Sequence, residues 1–559
     1  MVGVANGVVL PFSRARPACP SPAPGLHHLP APMAILFRLP YLKPSRVWAL
    51  AALAMVGLPG LLAAPAAAAS GPPTLTLARP EDQARFRVST FASGLSYPTS
   101  LVPLADGSLL VGTSVGPSLF TSPSGSLLRL VDLDGDGSAD GPALPLATGL
   151  PGLVSSVRRV DRLVMALSSV TGKETISLLR TGASATDPLT PVGALRFHFP
   201  PGFFHTTYAL AARRSPADPA AIELFFNIGA KSNASATSES VGLEGQGGVS
   251  LPLQQLAADA IHRLTLVADA AGTGFQASLQ PIATGLRNAA GLVFAANGDL
   301  YLQDNGIDSP ANPDVSLSAD ELNRIAAADI GRKIPDFGFP HTYVSSASGE
   351  TISGGLAVCP SICSTPGVTP PLLVFRPVAG ERSEGAVELA MAPPSFGPDF
   401  AGGLFTSFFG MFSGGAANQE NPVVFANPAN GSRVHFIANQ LLGHPNGLLA
   451  TQNSLYLTDL DFIGNLGGAN RGTIYQIRAL VPAPSTVPAP LPLLGSGAAL
   501  LWSRRLRRRL LPAAHPPSSP PERPTLQQRP RHHQHQAAAL QGCPVGQPPL
   551  RLLRQGLRG

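Results

Sequence analysis

The sequence predicts an all-β fold, and three observations favour a six-bladed β-propeller. The chain is rich in glycine and proline, with 58 Gly and 59 Pro among 559 residues, and long helical periodicity is almost absent. Three segments repeat one template, which marks a propeller or solenoid. The roughly 400 residues from Leu75 to Leu480 suit six four-stranded blades around a channel. A β-sandwich, the structural alternative, rarely uses so many residues. We expect helical turns only at 250–263 and 318–328.

The repeated template consists of an apolar strand, a tight polar turn and a second strand. In the second copy, Asn297-Gly298 stands between two apolar runs, and this pattern predicts a hairpin because both residues tolerate positive φ. The copies are unevenly spaced, so large insertions lie between them. The three copies span 94–111, 285–306 and 443–459.

Charge is distributed unevenly along the chain. The formal net charge is +6, but 5 Lys and Arg precede Ser70 and 11 follow Trp502. Residues 70–502 carry 23 Lys and Arg against 32 Asp and Glu, a net charge of −9. An acidic folded region binds nucleic acid poorly and is compatible with calcium and neutral sugars. The sequence therefore predicts no nucleic-acid partner.

The N-terminal region predicts export. Residues 33–69 combine a positive stretch, an apolar run from Val47 to Leu62 and a small-residue cleavage zone, which are the parts of a signal peptide. A transmembrane helix is the alternative, but this run is short and contains Pro59. Residues 1–32 are then a misassigned start or a disordered extension.

Three features follow one another in the region 481–510. A Pro-Ala-Pro motif at 488–490 precedes an apolar run to Trp502 and an Arg cluster at 504–509, an order that agrees with the positive-inside rule. This order resembles the PEP-CTERM sorting signal of Gram-negative bacteria. The resemblance implies a short apolar anchor helix, transient membrane attachment and a sorting protease of the exosortase type. It also implies a location in the periplasm, at the outer surface or in the extracellular matrix. The alternative is a short, Pro-capped amphipathic segment. Residues 511–559 depart from the pattern, because the signal normally ends the chain. Their composition predicts disorder, and a read-through or frameshifted end is the alternative.

Two motifs offer covalent or metal cross-links. Cys359 and Cys363 could close a small disulfide in an exported protein. Carboxylates at alternate positions, with glycines that turn the chain, predict a structural calcium site formed by Asp132, Asp134, Asp136 and Asp140. Ala143 stands where an EF-hand would carry its twelfth-position Glu, and an unmetallated Asp-Gly turn is the alternative.

The second copy of the template contains Arg287-Asn288 and, nineteen positions after Arg287, Gly306-Ile307. This pattern resembles the soluble glucose and sorbosone dehydrogenase family of β-propellers, which use pyrroloquinoline quinone (PQQ). The resemblance implies that the Arg-Asn pair holds PQQ and that Gly306 and Ile307 hold calcium through their backbone carbonyls. For Arg287, the alternative is a structural Arg that pairs with Asp304 or Glu321 at a blade edge. For Gly306 and Ile307, it is an ordinary loop that connects strands of a blade.

The same resemblance implies that His205 is the general base. A histidine suits this role because its ordinary pKa lies near working pH. The family usually has an Asp before this His and a Gly-Asp after the second strand, but here Phe204 and Gly229-Ala230 occupy those positions. The alternative is a structural His among aromatic residues.

The resemblance thus implies oxidation of a sugar or of a sugar-derived alcohol or aldehyde, with PQQ as the hydride acceptor. Phe204 and Ala230 instead favour a second function, a binding module of the cell surface or exopolysaccharide matrix. The chain shows no Gly-x-Ser-x-Gly elbow, P-loop or Rossmann fingerprint, so hydrolase and nucleotide-driven functions have little support.

Overall fold

A computed structural model of the protein describes residues 71–170, 172–307, 318–346, 351–353, 357–358, 367–376, 385–410, 422–437, 443–464 and 466–480. The chain divides into two compact units after Leu480, and every described residue belongs to the first. In the described part, no helix is long and apolar enough to cross a membrane. Several predicted features lie outside the described residues: segments 1–32, 33–69, 481–510 and 511–559, and the pair Cys359 and Cys363.

Strands dominate the described part of the chain. The strands are β1 (Phe86–Leu95), β2 (Ser100–Pro103), β3 (Leu109–Ser114), β4 (Ser124–Leu130), β5 (Leu144–Pro151), β6 (Leu153–Val160), β7 (Leu163–Ser169), β8 (Thr175–Arg180), β9 (Thr190–His198), β10 (Leu210–Arg214), β11 (Ala221–Ile228), β12 (Ser240–Gln246), β13 (Val249–Ser250), β14 (Gln254–Ala257), β15 (Ala260–Ala268), β16 (Phe275–Thr284), β17 (Ala289–Phe294), β18 (Leu300–Asp304), β19 (Asp320–Ile325), β20 (Thr342–Val344), β21 (Thr351–Ser353), β22 (Ala357–Val358), β23 (Leu373–Phe375), β24 (Ala386–Met391), β25 (Leu404–Phe408), β26 (Val423–Asn427), β27 (Ser432–Ile437), β28 (Pro445–Ala450), β29 (Ser454–Asp459) and β30 (Gly472–Ala479). The helical turns are α1 (Pro80–Gln83) and the 3₁₀ turns Leu119–Thr121, Pro394–Phe396 and Pro398–Phe400.

These strands form a six-bladed β-propeller, which confirms the predicted fold class. Blade 1 is β2–β5, and blade 2 is β6–β9 extended by β12 and β14. Blade 3 is β10, β11, β15 and β16 with β13 at its edge, and blade 4 is β17, β18, β19 and β23. Blade 5 is β24–β27, blade 6 is β28, β29, β30 and β1, and β20–β22 form a separate small sheet. The innermost strands contact one another in a closed ring: β2, β6, β10, β17, β24 and β28.

The ring closes through a strand from the N-terminal side of the chain. Strand β1 pairs antiparallel with β30, so that Phe86 lies opposite Ala479. Blade 6 therefore combines the two ends of the described propeller. Six hydrophobic clusters fill the six interfaces between neighbouring blades. Since burial of one large apolar side chain contributes about 1.5–3 kcal/mol, these interfaces supply most of the driving force for the fold.

Each copy of the sequence template forms the innermost hairpin of a blade: β2–β3, β17–β18 or β28–β29. The expected helical turns at 250–263 and 318–328 are wrong. The first range contains β14 and the start of β15, and the second contains β19. Both ranges pair with neighbouring strands, and this pairing overrides a weak local preference for helix.

Glycines allow neighbouring innermost strands to approach closely. A Cβ on Gly447 in blade 6 would lie 2.3 Å from the carbonyl oxygen of Thr99, next to blade 1. Gly291, which follows Asn288 as Gly447 follows His444, meets the carbonyl oxygen of Val387 at 2.1 Å in the same way. Two of the three copies of the template thus carry a glycine where neighbouring innermost strands approach closely.

We expect Gly447→Ala to lower the free energy of unfolding by about 2 kcal/mol, because the added methyl group forces the backbones of blades 6 and 1 apart. Urea unfolding followed by fluorescence measures this change. The matched control is Gly71→Ala, whose Cβ meets nothing within 4 Å. Equal midpoints for the two variants would contradict the assigned packing at the closure.

Candidate functional site at the channel mouth

The residues just before β17 are fixed by a carboxylate at the end of β18. Asp304 Oδ2 accepts the backbone N–H of Arg287 at 2.9 Å, and Oδ1 accepts that of Asn288 at 2.6 Å. Asp304 also lies opposite Ala289, the first residue of β17. The structure therefore puts the predicted Arg-Asn pair at the start of the innermost strand of blade 4, at the end of the channel that we call the channel mouth.

Two other blades repeat this arrangement. Asp459 at the end of β29 accepts two consecutive backbone N–H groups at 2.9 and 2.7 Å, and Asn227 in β11 accepts two at 2.9 and 3.0 Å. The donors are Gly443 and His444 in blade 6, and Tyr208 and Ala209 in blade 3. Side-chain acceptors at the end of the second strand thus fix the mouth in three blades.

His205 lies beside Arg287, in the connection that enters blade 3. Its backbone N–H donates to the carbonyl oxygen of Ala230 at 2.9 Å, and its ring packs on that of Phe204, with 4.5 Å between centroids. Its Nε2 atom is buried, and no described group hydrogen-bonds it. Burial first, and then the charge of Arg287, hold the pKa of His205 well below 6.5. The ring is therefore neutral at pH 7, the form that can accept a proton.

Arg287 is only 2% exposed and is held by neutral oxygens of nearby residues. Its Nη2 donates to Asn233 Oδ1 at 2.6 Å, its Nε donates to the Asn233 carbonyl at 3.0 Å, and its Nη1 reaches the Asn305 carbonyl at 3.4 Å. The Phe204 ring lies 5.6 Å from the guanidinium carbon. Of the acids proposed as alternative partners, Asp304 binds the Arg287 backbone, and its charge interacts with the guanidinium.

Asn288 belongs to a chain of amides that links three blades. Its Nδ2 donates to Asn305 Oδ1 at 2.8 Å, and its Oδ1 accepts from Asn227 at 3.4 Å. Asn305 in turn donates to the carbonyl oxygen of Ala386 in β24 at 2.6 Å. The amide of Asn288 is therefore orientated from both sides, which suits a residue that must present a fixed hydrogen-bonding pattern.

Gly306 and Ile307 directly follow this chain. The Gly306 N–H donates to Asp320 at 2.8 Å, and the Ile307 carbonyl already accepts the N–H of Ser318 at 3.0 Å. A Cβ on Gly306 would lie 2.1 Å from the Ser318 carbonyl oxygen, so only glycine fits. A cavity of about 10 Å³ lies here, lined in part by Gly306, Arg287 and Asp304, which is room for about one water molecule or ion.

Two buried carboxyl groups face each other beneath the Arg-Asn pair. Asp304 and Glu321 are direct cross-strand neighbours, and both line the small cavity. Burial raises the pKa of Asp304 to about 7. Burial, reinforced by the charge of Asp304, raises the pKa of Glu321 to about 8. Like charges directly opposite on a sheet repel each other, so near neutral pH the pair retains a proton.

The acidic loop between β4 and β5 brings three of its four predicted ligands together. Carboxylate oxygens of Asp132, Asp134 and Asp136 lie within 4.8 Å of one another. Asp140 instead accepts the N–H of Leu133 at 2.5 Å. Ala139 in this loop donates to the Phe91 carbonyl at 2.7 Å, which ties the loop to β1. Since blade strands alternate in direction, this loop lies on the face opposite the mouth.

Sequence reasoning missed three contributors to the channel. Asn233 lies outside the matched motifs, whereas Asn305 lies inside the second copy of the template, directly before Gly306, and its position there was the signal that could have singled it out. Arg158 in β6 and Glu388 in β24 form the third feature, an ion pair whose Nη2 lies 2.8 Å from both carboxylate oxygens. These strands belong to blades 2 and 5, which are opposite in the ring, so the pair bridges the channel.

Comparisons with known proteins show likeness to solved propellers at low identity. No family model and no curated protein matches the chain. A calcium structure of the carbohydrate-active enzyme family AA12 from Trichoderma reesei is 15% identical, with a TM-score of 0.47, and covers 73% of this chain and 98% of its own. The holo PQQ domain of pyranose dehydrogenase from Coprinopsis cinerea is 14% identical, with the same coverage and TM-score. The PQQ-bound aldose sugar dehydrogenase of Streptomyces coelicolor is 16% identical, with a TM-score of 0.42, and covers 73% of this chain and 100% of its own.

The raised carboxyl pKa values predict a pH-dependent stability. The folded protein holds the Asp304 and Glu321 protons more tightly than the unfolded chain, in which a Glu titrates near 4.5. In a chelator, the free energy of unfolding should therefore fall as pH rises from about 5 to about 8. We expect Glu321→Gln to flatten this decline, because the amide of Gln does not ionise. Gln can still accept the hydrogen bond from Asn323, so the local structure should be kept.

Urea unfolding of both proteins at pH 5.5 and pH 8.5 measures the effect. Glu81→Gln removes a surface carboxylate and is the matched control, which should keep the slope of the parent protein. A decline that is as steep in Glu321→Gln as in the parent would contradict the assigned ionisation.

Proposed function

We propose that this propeller is a quinoprotein-like dehydrogenase that oxidises a sugar or a sugar-derived alcohol or aldehyde. The observation that carries the proposal is the neutral His205 ring, whose buried Nε2 has no hydrogen-bond partner among the described residues. This ring lies beside a buried arginine whose charge acts on it. A vacant proton acceptor next to a fixed cation is suited to removing the hydroxyl proton of an alcohol during its oxidation.

The side chains at the mouth would divide the reaction between them. His205 Nε2 would take the proton of the substrate hydroxyl as the carbonyl forms at the carbon that bears this hydroxyl. Bound PQQ would supply the acceptor for the hydride of that carbon, that is, for two electrons and one proton. Arg287 and Asn288 would hold PQQ, because a guanidinium and an orientated amide match its carboxylate and carbonyl oxygens.

Calcium would be coordinated at the site by the backbone carbonyl oxygens of Gly306 and Ile307. A carbonyl oxygen has two lone pairs, so the bond from Ser318 to the Ile307 carbonyl leaves one for a cation. Glycine at 306 keeps the backbone close to its neighbours, and the nearby Asp320 supplies negative charge. A second calcium ion would bind Asp132, Asp134 and Asp136 and serve stability rather than catalysis.

Export completes the proposal. The signal-like segment 33–69 and the sorting-like segment 481–510 would deliver the propeller to the periplasm, the outer surface or the matrix, where an exosortase-type protease would process it. Calcium and oligosaccharides are both accessible there. The substrate would then be released from polysaccharide or taken from the medium.

A non-catalytic binding module is the second candidate, and Phe204 favours it. This side chain is 52% exposed at the mouth, and it stands where the resembled family carries an Asp. An exposed aromatic ring can stack on a sugar without any redox step. Under this alternative, Arg287 would be a structural cation beneath the ring, and PQQ would not bind.

Titration with PQQ in excess calcium separates the two candidates. We expect saturable binding, a raised melting temperature and dye-linked oxidation of an aldose by the parent protein. His205→Ala should bind PQQ yet lose at least about 100-fold in kcat, as expected for removal of a general base. Arg287→Ala should lose PQQ affinity.

Asp218→Asn, a surface change in the turn between β10 and β11 on the face opposite the mouth, is the control for these variants. Absence of PQQ binding by the folded parent protein would leave the binding module as the function. Full activity of His205→Ala would remove this residue from the mechanism.

Calcium should stabilise the protein through the acidic loop even without PQQ. At about 100 times the dissociation constant, a single site adds about 2.7 kcal/mol to the free energy of unfolding. We expect Asp132→Asn to lose most of the rise in melting temperature that calcium produces over a chelator. Asp218→Asn, which alters another exposed turn carboxylate, should keep it. A normal calcium response in Asp132→Asn would identify the loop as an unmetallated turn.

A further inference from the structure

The short segment Ala230-Lys231 forms backbone hydrogen bonds both to the residues around His205 and to Arg287. The Ala230 carbonyl accepts the His205 N–H at 2.9 Å, and the Ala230 N–H donates to the Arg287 carbonyl at 2.8 Å. The next carbonyl, that of Lys231, accepts the Phe204 N–H at 3.0 Å. The segment therefore lies between the histidine and the arginine and sets the distance between their backbones.

The chain continues from this segment to Asn233, which accepts hydrogen bonds from the Arg287 side chain. Asn233 Oδ1 accepts Arg287 Nη2 at 2.6 Å and Nε at 3.1 Å, and the Asn233 carbonyl accepts Nε at 3.0 Å. Oxygens of one residue therefore engage both the Nε and the Nη2 edge of the planar guanidinium. Such a grip fixes the rotation of the group as well as its position.

A second contact set holds Asn233 in place. Thr237 accepts the Lys231 N–H through Oγ1 at 2.8 Å and donates to Asp259 Oδ1 at 2.7 Å. Asp259 Oδ2 also accepts the Thr237 N–H at 2.7 Å, and the Asp259 carbonyl accepts the N–H of Leu286 at 3.1 Å. Asp259 therefore braces both the loop that carries Asn233 and the residue immediately before Arg287.

We propose that Asn233 is a positioning residue for the site, which aims the Arg287 guanidinium, and that Thr237 and Asp259 hold the loop 231–237 in the conformation that allows it. The inference rests on the proposed function in one respect, that Arg287 binds the cofactor. Its geometric part concerns the protein alone. The resembled motif contains neither Asn233 nor Thr237, so this chain would support its arginine with residues of its own.

The test uses the full chain and four variants. Asn233→Leu keeps the shape of the side chain and removes its acceptor. Thr237→Val removes the hydroxyl without touching Arg287, whereas Thr237→Ser retains it. Ala236→Leu, in the same loop at an exposed position, is the matched control. Melting temperatures first establish that each variant folds.

The first measurement is hydrogen exchange of the Arg287 Nε–H in the cofactor-free protein, observed with ¹⁵N-arginine labelling and assigned with Arg287→Lys. We expect exchange at least about tenfold faster in Asn233→Leu, because this variant keeps the backbone carbonyl that accepts Nε but loses the side-chain oxygen that binds both Nε and Nη2. Exchange should be faster by a smaller factor in Thr237→Val, in which the loop is loosened. Thr237→Ser and Ala236→Leu should match the parent protein.

The second measurement is the affinity for PQQ in excess calcium. Asn233→Leu should bind PQQ at least about tenfold more weakly. Thr237→Val should lose affinity by a smaller factor, and Thr237→Ser, which retains the hydroxyl, should bind PQQ as the parent protein does. Exchange and affinity within twofold of the parent in Asn233→Leu would overturn the proposal. If the parent protein binds no PQQ, the proposed function fails, but the exchange measurement still decides whether Asn233 aims Arg287.

Discussion

The channel mouth depends on one interaction, in which a side chain at the end of a second strand accepts two consecutive backbone N–H groups. Asp304 does so for Arg287 and Asn288. Without this acceptor, two buried N–H groups would lack partners at the point where the chain enters the innermost strand, and each would cost about 1–3 kcal/mol. The position of the candidate residues is therefore a consequence of backbone satisfaction.

The three versions of this interaction separate geometry from charge. Asn227 performs the same task with a neutral amide, so the geometry requires an oxygen and not a carboxylate. Burial raises the pKa of Asp459 to about 6 and that of Asp304 to about 7, so the ionised form is costly in both blades. Blade 4 adds Glu321 directly opposite, which increases this cost. A carboxylate pair in that place is useful where a cation or a proton is to be held, and Gly306, one of the two proposed calcium ligands, lines the same cavity.

Local patterns in the sequence could predict the blades whose inner hairpins turn tightly. Asn297-Gly298 and Asp106-Gly107 announce their hairpins, because each ends in a glycine with positive φ. Blade 2 makes the equivalent turn with Asp161 at a φ of 51°, a conformation that the sequence does not advertise. Blade 5 fills the same connection with two 3₁₀ turns between 394 and 400. Blades 2 and 5 share no visible template with the others. The sequence therefore predicts three of the six blades from the template, and the other three only from the length of the chain.

Contacts across the ring escape sequence reasoning for a different reason. Asn233 lies 54 positions from Arg287, and Glu388 lies 230 positions from Arg158. The first pair meets because neighbouring blades pack side by side, and the second because the circle of blades closes. The pair formed by Arg158 and Glu388 shows the consequence most clearly. A charge taken from water costs several kcal/mol unless it is paired and hydrogen-bonded, and Arg158 also donates to the Val157 carbonyl at 2.8 Å. Closure of the ring thus satisfies the pair, and the pair connects opposite blades. Loss of either charge would leave its partner buried in the channel, so this bridge couples the stability of the ring to the shape of the channel beneath the candidate site.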